Sequence, residues 1–208
     1  MLSLESLLAF VVASVILALA PGPDNLFVLT QSALSGWRAG LLVTVGLCTG
    51  LIVHTFAVTF GVATLISTST WAFSLLKFVG AGYLVYLAWL SFRAKPDAVV
   101  VGEKTGLSAA KLYRRGIIMN VTNPKVSIFF LAFLPQFADP ARGSVTLQLL
   151  ALGGMFILVT LVVFGGVAAL ASNLNRWFTQ SRRGQRVLNR IAGAVFVGLA
   201  VKLATAKL

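Results

Sequence analysis

Two short stretches of this chain set an ionisable side chain among helix-breaking residues inside otherwise apolar sequence. The first is Pro21-Gly22-Pro23-Asp24-Asn25 and the second is Asn123-Pro124-Lys125. Proline has no amide proton and collides with the carbonyl four residues before it, so a helix through either stretch must break. The breaks are expected to free the carbonyls of about Leu17, Leu19 and Asn120, with Gly22 adding backbone latitude in the first. One break then holds an acid, Asp24, and the other a base, Lys125. Unpaired backbone at membrane depth survives only when buried in protein or lining a wet cavity.

Holding either charge at mid-membrane depth costs roughly 2.5–3.5 kcal/mol, so each needs partners. Asp24 or Asn25 can cap the half-helix that follows, where the positive end of the helix dipole favours an anion. Lys125 is expected in a first helical turn with Asn123 as its cap. A cation there opposes the dipole, so Lys125 needs a counter-charge more than Asp24 does. Two readings stand side by side. In one, Asp24 and Lys125 form a fixed ion pair that clamps two halves of the molecule. In the other, they share their partners with a zwitterionic ligand, whose carboxylate meets Lys125 and free half-helix amides while its ammonium meets Asp24 and freed carbonyls. His54, the single histidine, suits a proton relay or, more commonly, a neutral ring hydrogen-bonded to a neighbouring helix. One histidine and one cysteine, Cys48, cannot build a metal site of the usual kinds. Ser127 lies two residues from Lys125 and does not face it on a helix, which argues against a Ser–Lys dyad. No catalytic residue, metal or cofactor is expected.

The elements that position these residues must be apolar helices. Only 11% of the chain is charged and 58% is hydrophobic, whereas soluble domains carry about twice that charged fraction. The missing polar surface implies lipid. Residues 41–66 and 145–174 contain no lysine, arginine, aspartate or glutamate, and each run exceeds the roughly 20 residues that cross a bilayer core. Neither alternates as barrel strands would. Six apolar segments emerge, at about 6–34, 41–66, 71–92, 116–138, 145–172 and 187–206, with polar stretches at 93–115 and 176–190. Ala18-Leu19-Ala20 looks like a signal cleavage site, but the basic leader is missing, so Leu7 onward is read as the first permanent span. The formal charge of +12 falls in the short segments between runs, as membrane orientation requires, and not in a pattern suited to nucleic acid.

The two halves echo each other. Residues 20–24 match 121–125, the run Phe60 to Leu65 recurs at Phe164 to Leu170, and Val79 to Ala88 recurs at Ile191 to Ala200. If all six segments cross, the basic loops at 35–40, 93–115 and 173–190 share one side, and the positive-inside tendency makes that side cytoplasmic with both termini outside. Three crossings per half make the repeat inverted. The expected fold class is therefore an all-α integral membrane protein with six transmembrane helices, arranged as two inverted three-helix repeats with helices 1 and 4 broken. One transporter domain would cover 1–208, with repeat 1 at about 1–95, a cytoplasmic loop at about 93–115 and repeat 2 at about 111–208. Gly46-Leu47-Cys48-Thr49-Gly50, Gly80 and Gly82 have the spacing of close helix contacts, Cys48 reads as a packing residue, and Trp37, Trp71 and Trp177 lie near span ends as interface anchors.

At these residues the chain resembles the lysine-exporter and homoserine–threonine-exporter (LysE/RhtB-type) family of bacterial amino-acid efflux proteins. The matching features are Leu19 to Asn25, Gly46 to Gly50 followed by His54, Leu76 to Leu84, Arg115-Gly116 through Asn120 to Lys125, and Phe133-Leu134-Pro135-Gln136-Phe137. The likeness runs from about residue 4 to 206. It implies a multi-pass exporter in the bacterial plasma (inner) membrane that moves amino acids or related small zwitterionic metabolites out of the cytoplasm, driven by the proton gradient. The substrate-binding and coupling residues would be Asp24, Lys125, Asn25, Asn123, Pro21, Gly22, Pro23, Pro124 and His54. The expected partners are the small-molecule substrate and membrane lipid, with no nucleic acid, and self-association is left open. The rival reading is a passive channel or helper membrane subunit.

Overall fold

A computed structural model of the chain describes residues 2–20, 22–62, 70–94, 106–180 and 182–205. These residues form eight helices and no strand. Helix α1 is Leu4–Leu19, α2 is Pro23–Ser35, α3 is Trp37–Ala57 and α4 is Thr70–Arg93. Helix α5 is Ala109–Val121, α6 is Pro124–Ile128, α7 is Val145–Gln180 and α8 is Arg182–Thr205. Wide π turns extend α3 over Val58–Val62 and α6 over Phe129–Phe133, and a tight 3-10 turn follows at Leu134–Phe137.

Among the described residues, 37–61 and 145–171 form helices long and apolar enough to cross a membrane, with mean hydropathies of 2.1 and 2.5. The count rises to four if each bent pair is one span: α1 with α2, bent by 60°, and α5 with the residues from Pro124 to Phe137, bent by 49°. Polarity is turned inside out relative to a soluble domain. Asp24, Gln31, His54, Asn120, Asn123, Lys125 and Thr160 are buried, while Phe78, Val79, Trp89, Val162 and Val201 are at least half exposed. Trp37 and Trp71 are also exposed, as anchors at a lipid surface would be; the Trp177 side chain lies outside the described residues.

Packing follows the small residues. Helix α3 lies against α5, where a Cβ on Gly46 would sit 2.2 Å from the Tyr113 carbonyl oxygen and one on Gly116 would sit 2.5 Å from that of Val43. The Gly46–Gly50 stretch is therefore a contact surface, as its spacing predicts. Gly80 behaves likewise, since its Cβ would meet that of Ala132 at 2.4 Å, but Gly82 has nothing within 4 Å. The expected contact at Gly82 is corrected: one residue of the pair faces α6 and its extension, and two positions on, a helix has turned away from the partner. Cys48 is buried and its thiol lies 3.9 Å from the Ile157 carbonyl.

Two apolar clusters make the core. In one, Phe10 packs on Phe129, Phe137 and Phe156 with ring centroids 5.2–6.4 Å apart. In the other, Val28, Val43, Leu47 and Leu112 meet Phe164 and Ala168. Two boundaries differ from the sequence expectation. Residues 109–115 are helical rather than loop: Leu112, Gly116 and Asn120 form one buried stripe toward α3, while Lys111, Arg114 and Arg115 keep to the exposed side. A count of apolar residues misses such a helix because its charged face interrupts every window. The stretch 173–180 likewise continues α7, and α8 already begins at Arg182. No proline or glycine occurs between 167 and 183, so nothing stops the helix. At about 1.5 Å per residue it is ~54 Å long, enough to project beyond a bilayer core of about 30 Å.

Candidate functional site

Both breaks turn the chain in the same way. Gly22 and Asn123 are the N-caps, Pro23 and Pro124 occupy the first helical position, and Asp24 and Lys125 follow in the second. Proline suits that first position because its missing amide would be unpaired there in any case. Asn123 caps as expected, its Oδ1 accepting from the Lys125 amide at 3.0 Å. The expected cap by Asp24 or Asn25 is corrected. Gly22 takes that position with no side-chain bond, and Asn25 instead donates from Nδ2 to the carbonyl of Ala18 across the break. Gly22 is extended, with φ −178° and ψ 173°, a conformation open to any residue, so the expected backbone latitude is not its contribution. A Cβ there would lie 3.4 Å from Lys125 Nζ, an ordinary contact distance. Pro21 lies outside the described residues.

The Asn120 carbonyl, expected to be freed, gets no amide from Pro124 but accepts from the Asn123 amide at 3.0 Å. His54 is a further partner, its Nε2 lying 3.1 Å from that oxygen. This matches the reading of His54 as a ring bonded to a neighbouring helix. In the first break, the carbonyls seen to gain side-chain partners are Ala18, from Asn25, and Ala20, from Lys125 Nζ at 2.8 Å. They lie one residue beyond the expected Leu17 and Leu19, because α1 ends at Leu19 and its last turn is left without successors. Ser127 spends its hydroxyl on the Asn123 carbonyl at 3.1 Å.

Asp24 and Lys125 line one small cavity without forming a direct ion pair. The fixed clamp is therefore not what this conformation contains. Lys125 Nζ rests on the Ala20 carbonyl, beside the start of α2. The Asp24 carboxylate receives a long bond of 3.4 Å from Asn120 Nδ2, while Asn123 and Lys125 lie near enough to act on it electrostatically. Leu17, Ala18 and Leu51 close one side, and Phe156, Thr160 and Phe164 of α7 close another. The cavity thus lies where the two apolar clusters meet. Its free volume of about 20 Å³ suits one water molecule; an amino acid enters only if its walls move.

Three buried polar atoms on this cavity lack a hydrogen-bond partner: Asp24 Oδ1, Asn120 Oδ1 and Thr160 Oγ1. Three others, Gln31 Oε1, Thr59 Oγ1 and Gln136 Oε1, lie on residues away from it. Asn120 and Thr160 are residues that sequence reasoning missed as cavity residues. Asn120 was legible in part, standing one helical turn before Pro124; Thr160 was not, since a lone threonine in an apolar run carries no signal. Gly50 makes room for Asn120, because a Cβ at Gly50 would lie 2.7 Å from Asn120 Oδ1.

A mostly apolar cavity that holds an acid and a base on two broken helices, inside a molecule with an apolar exterior, defines a membrane transport protein more readily than an enzyme. The chain belongs to the LysE type translocator family, whose model matches residues 15–207. It is 34% identical to a homoserine/homoserine lactone efflux protein of Salmonella typhimurium, over 96% of each chain. It is also 34% identical to an uncharacterized membrane protein of Vibrio cholerae, over 96% of this chain and 97% of that one. An uncharacterized membrane protein of Pseudomonas aeruginosa is 32% identical over 96% of this chain and 94% of its own length. No solved structure matches the chain.

Proposed function

We propose that this protein is a secondary exporter that carries amino acids or related small zwitterionic metabolites out of the cytoplasm, coupled to the proton gradient. The observation that carries the reading is the unpaired arrangement of Asp24 and Lys125 at equivalent positions of two half-helices facing one cavity. A zwitterion fits its chemistry. The substrate carboxylate would meet the Lys125 ammonium and the uncapped start of α2, where the dipole also favours an anion. The substrate ammonium would meet the two orphaned acceptors, Asp24 Oδ1 and Asn120 Oδ1. The Salmonella relative, named for efflux of homoserine and homoserine lactone, supports the same class.

The equivalence of Gly22-Pro23-Asp24 and Asn123-Pro124-Lys125, 101 residues apart, supports the six-helix inverted repeat, with both termini outside the inner membrane. Coupling would follow from protonation of Asp24, which weakens its hold on the substrate ammonium. Protonation can drive transport only if it changes affinity differently in the two orientations. The test is export during dipeptide loading of cells. Asp24→Asn and Lys125→Ala should reach the membrane at normal levels yet leave intracellular amino acid high. Export at the wild-type rate by both variants would sink the reading. In liposomes, flux should follow an imposed pH gradient; flux indifferent to the gradient would favour the passive channel instead.

A further inference from the structure

We infer that Arg115 of α5 is the first group to take the substrate's carboxylate on the cytoplasmic side, and that Phe27 of α2 is the lid it leaves in doing so. The inference rests on the transport reading above, with its orientation, and deepens it by naming the way in. The Arg115 guanidinium carbon lies 4.6 Å from the centre of the Phe27 ring. This contact joins the two broken helices: Phe27 stands three residues past Asp24, and Arg115 five before Asn120. Helix α2 leaves the cavity toward Ser35, and α5 runs to it from Ala109. Ring and guanidinium therefore stand between the basic loop ends and the cavity.

The two ends of the cavity are closed unequally. Beyond the breaks, Phe10, Phe129 and Phe133 are fully buried, and Phe133 packs ring on ring with Phe129 and Phe137 at 5.0 Å. At the end where Arg115 lies, Phe27 and Met119 are only partly buried against their cluster, and Arg115 is exposed. The chemistry of the contact suits exchange. No acid pairs with Arg115 and no hydrogen bond holds it among the described residues. A guanidinium lying on a ring face keeps its N–H fork unspent. That fork matches a carboxylate in bidentate fashion, a stronger bond than the ring offers. An arriving carboxylate can thus displace the ring, and the freed Phe27 opens the path to Lys125.

The test is uptake into inside-out membrane vesicles holding the full-length protein, where the concentration at the cytoplasmic face is set directly. A panel of labelled amino acids supplies the probe, the one the wild type takes up fastest. Arg115→Gln should raise its half-saturating concentration by about three- to tenfold, the effect falling there rather than on the maximal rate. Phe27→Leu removes the ring that competes for Arg115 and should lower the same quantity by about two- to fivefold. The double variant should behave as Arg115→Gln alone. A clamp that merely holds α2 against α5 predicts the reverse, with both single substitutions shifting the value in one direction. That outcome overturns the inference, and so does an unchanged value in Arg115→Gln. If Arg115→Gln does not insert, Arg115→Lys, which keeps the charge but loses the fork, should still raise the value, and no rise overturns the inference. The probe's amide, lacking the carboxylate, should inhibit wild type and variant alike; inhibition weakened in parallel with uptake overturns the carboxylate assignment. Failure of the wild type to take up any amino acid refutes the transport reading itself.

Discussion

At the scale of single residues, the site is an acid and a base kept apart. Asp24 and Lys125 share a cavity, yet each leans on neutral groups: the Asn120 amide for one and the Ala20 carbonyl for the other. Neutral partners leave both charges free to be claimed by a ligand, whereas a tight buried pair would have to be broken first at a cost of several kcal/mol. Asn120 is central to this. Its carbonyl meets His54, its Nδ2 meets Asp24 and its Oδ1 faces the cavity without a partner. Asn120→Ala should therefore reduce export at least tenfold at low substrate, by removing one ammonium acceptor and the amide that steadies Asp24. His54→Ala, measured beside it, should have the smaller effect, since His54 touches the backbone of Asn120 and does not line the cavity. A reversed order in an export assay would reassign the centre of the site to His54.

At the scale of elements, function depends on how closely helices approach. Gly50 lets α5 bring Asn120 against α3, and an added methyl would collide with the amide it accommodates. Overpacking of this kind costs about 1–3 kcal/mol, and here the strain falls on a cavity residue. Gly50→Ala should accordingly depress export in the manner of Asn120→Ala while the protein still inserts. Gly82→Ala, on α4 with open space around it, should leave export and thermal stability within error of the wild type. Equal effects from the two substitutions would remove Gly50 from the positioning of the site. The breaks are elements in the same sense. Each puts a proline where a helix can begin, so the chain bends and restarts while keeping its charged side chain in the first turn of the new helix.

At the scale of the whole molecule, the proposed topology makes a physical prediction about access. Arg142 lies in the exposed turn before α7, and Arg114 is on the exposed face of α5. With both termini outside, Arg142→Cys should react with a membrane-impermeant thiol reagent in intact cells, and Arg114→Cys only after permeabilisation. The opposite labelling would invert the assigned orientation. Cys48 should not interfere, being buried between α3 and α7.

Much of this was legible without coordinates because its cause is local. A proline abolishes a backbone bond wherever it stands, so the breaks and the start of α6 at Pro124 follow from the chain itself. Apolar runs without charge require lipid or a protein interior whatever their neighbours are. Asn123 as a cap needs only its own side chain and the next turn. Other features depended on contacts between distant segments. Which carbonyl Lys125 takes, whether it pairs with Asp24, and that Gly50 makes room for Asn120 are settled by residues 70 to 105 positions apart in the chain. Thr160 is the clearest case: its side chain is ordinary in sequence, and only the meeting of α7 with both broken helices leaves its hydroxyl facing a cavity. Local chemistry is carried by the order of residues, while the company a side chain keeps is decided when the helices pack.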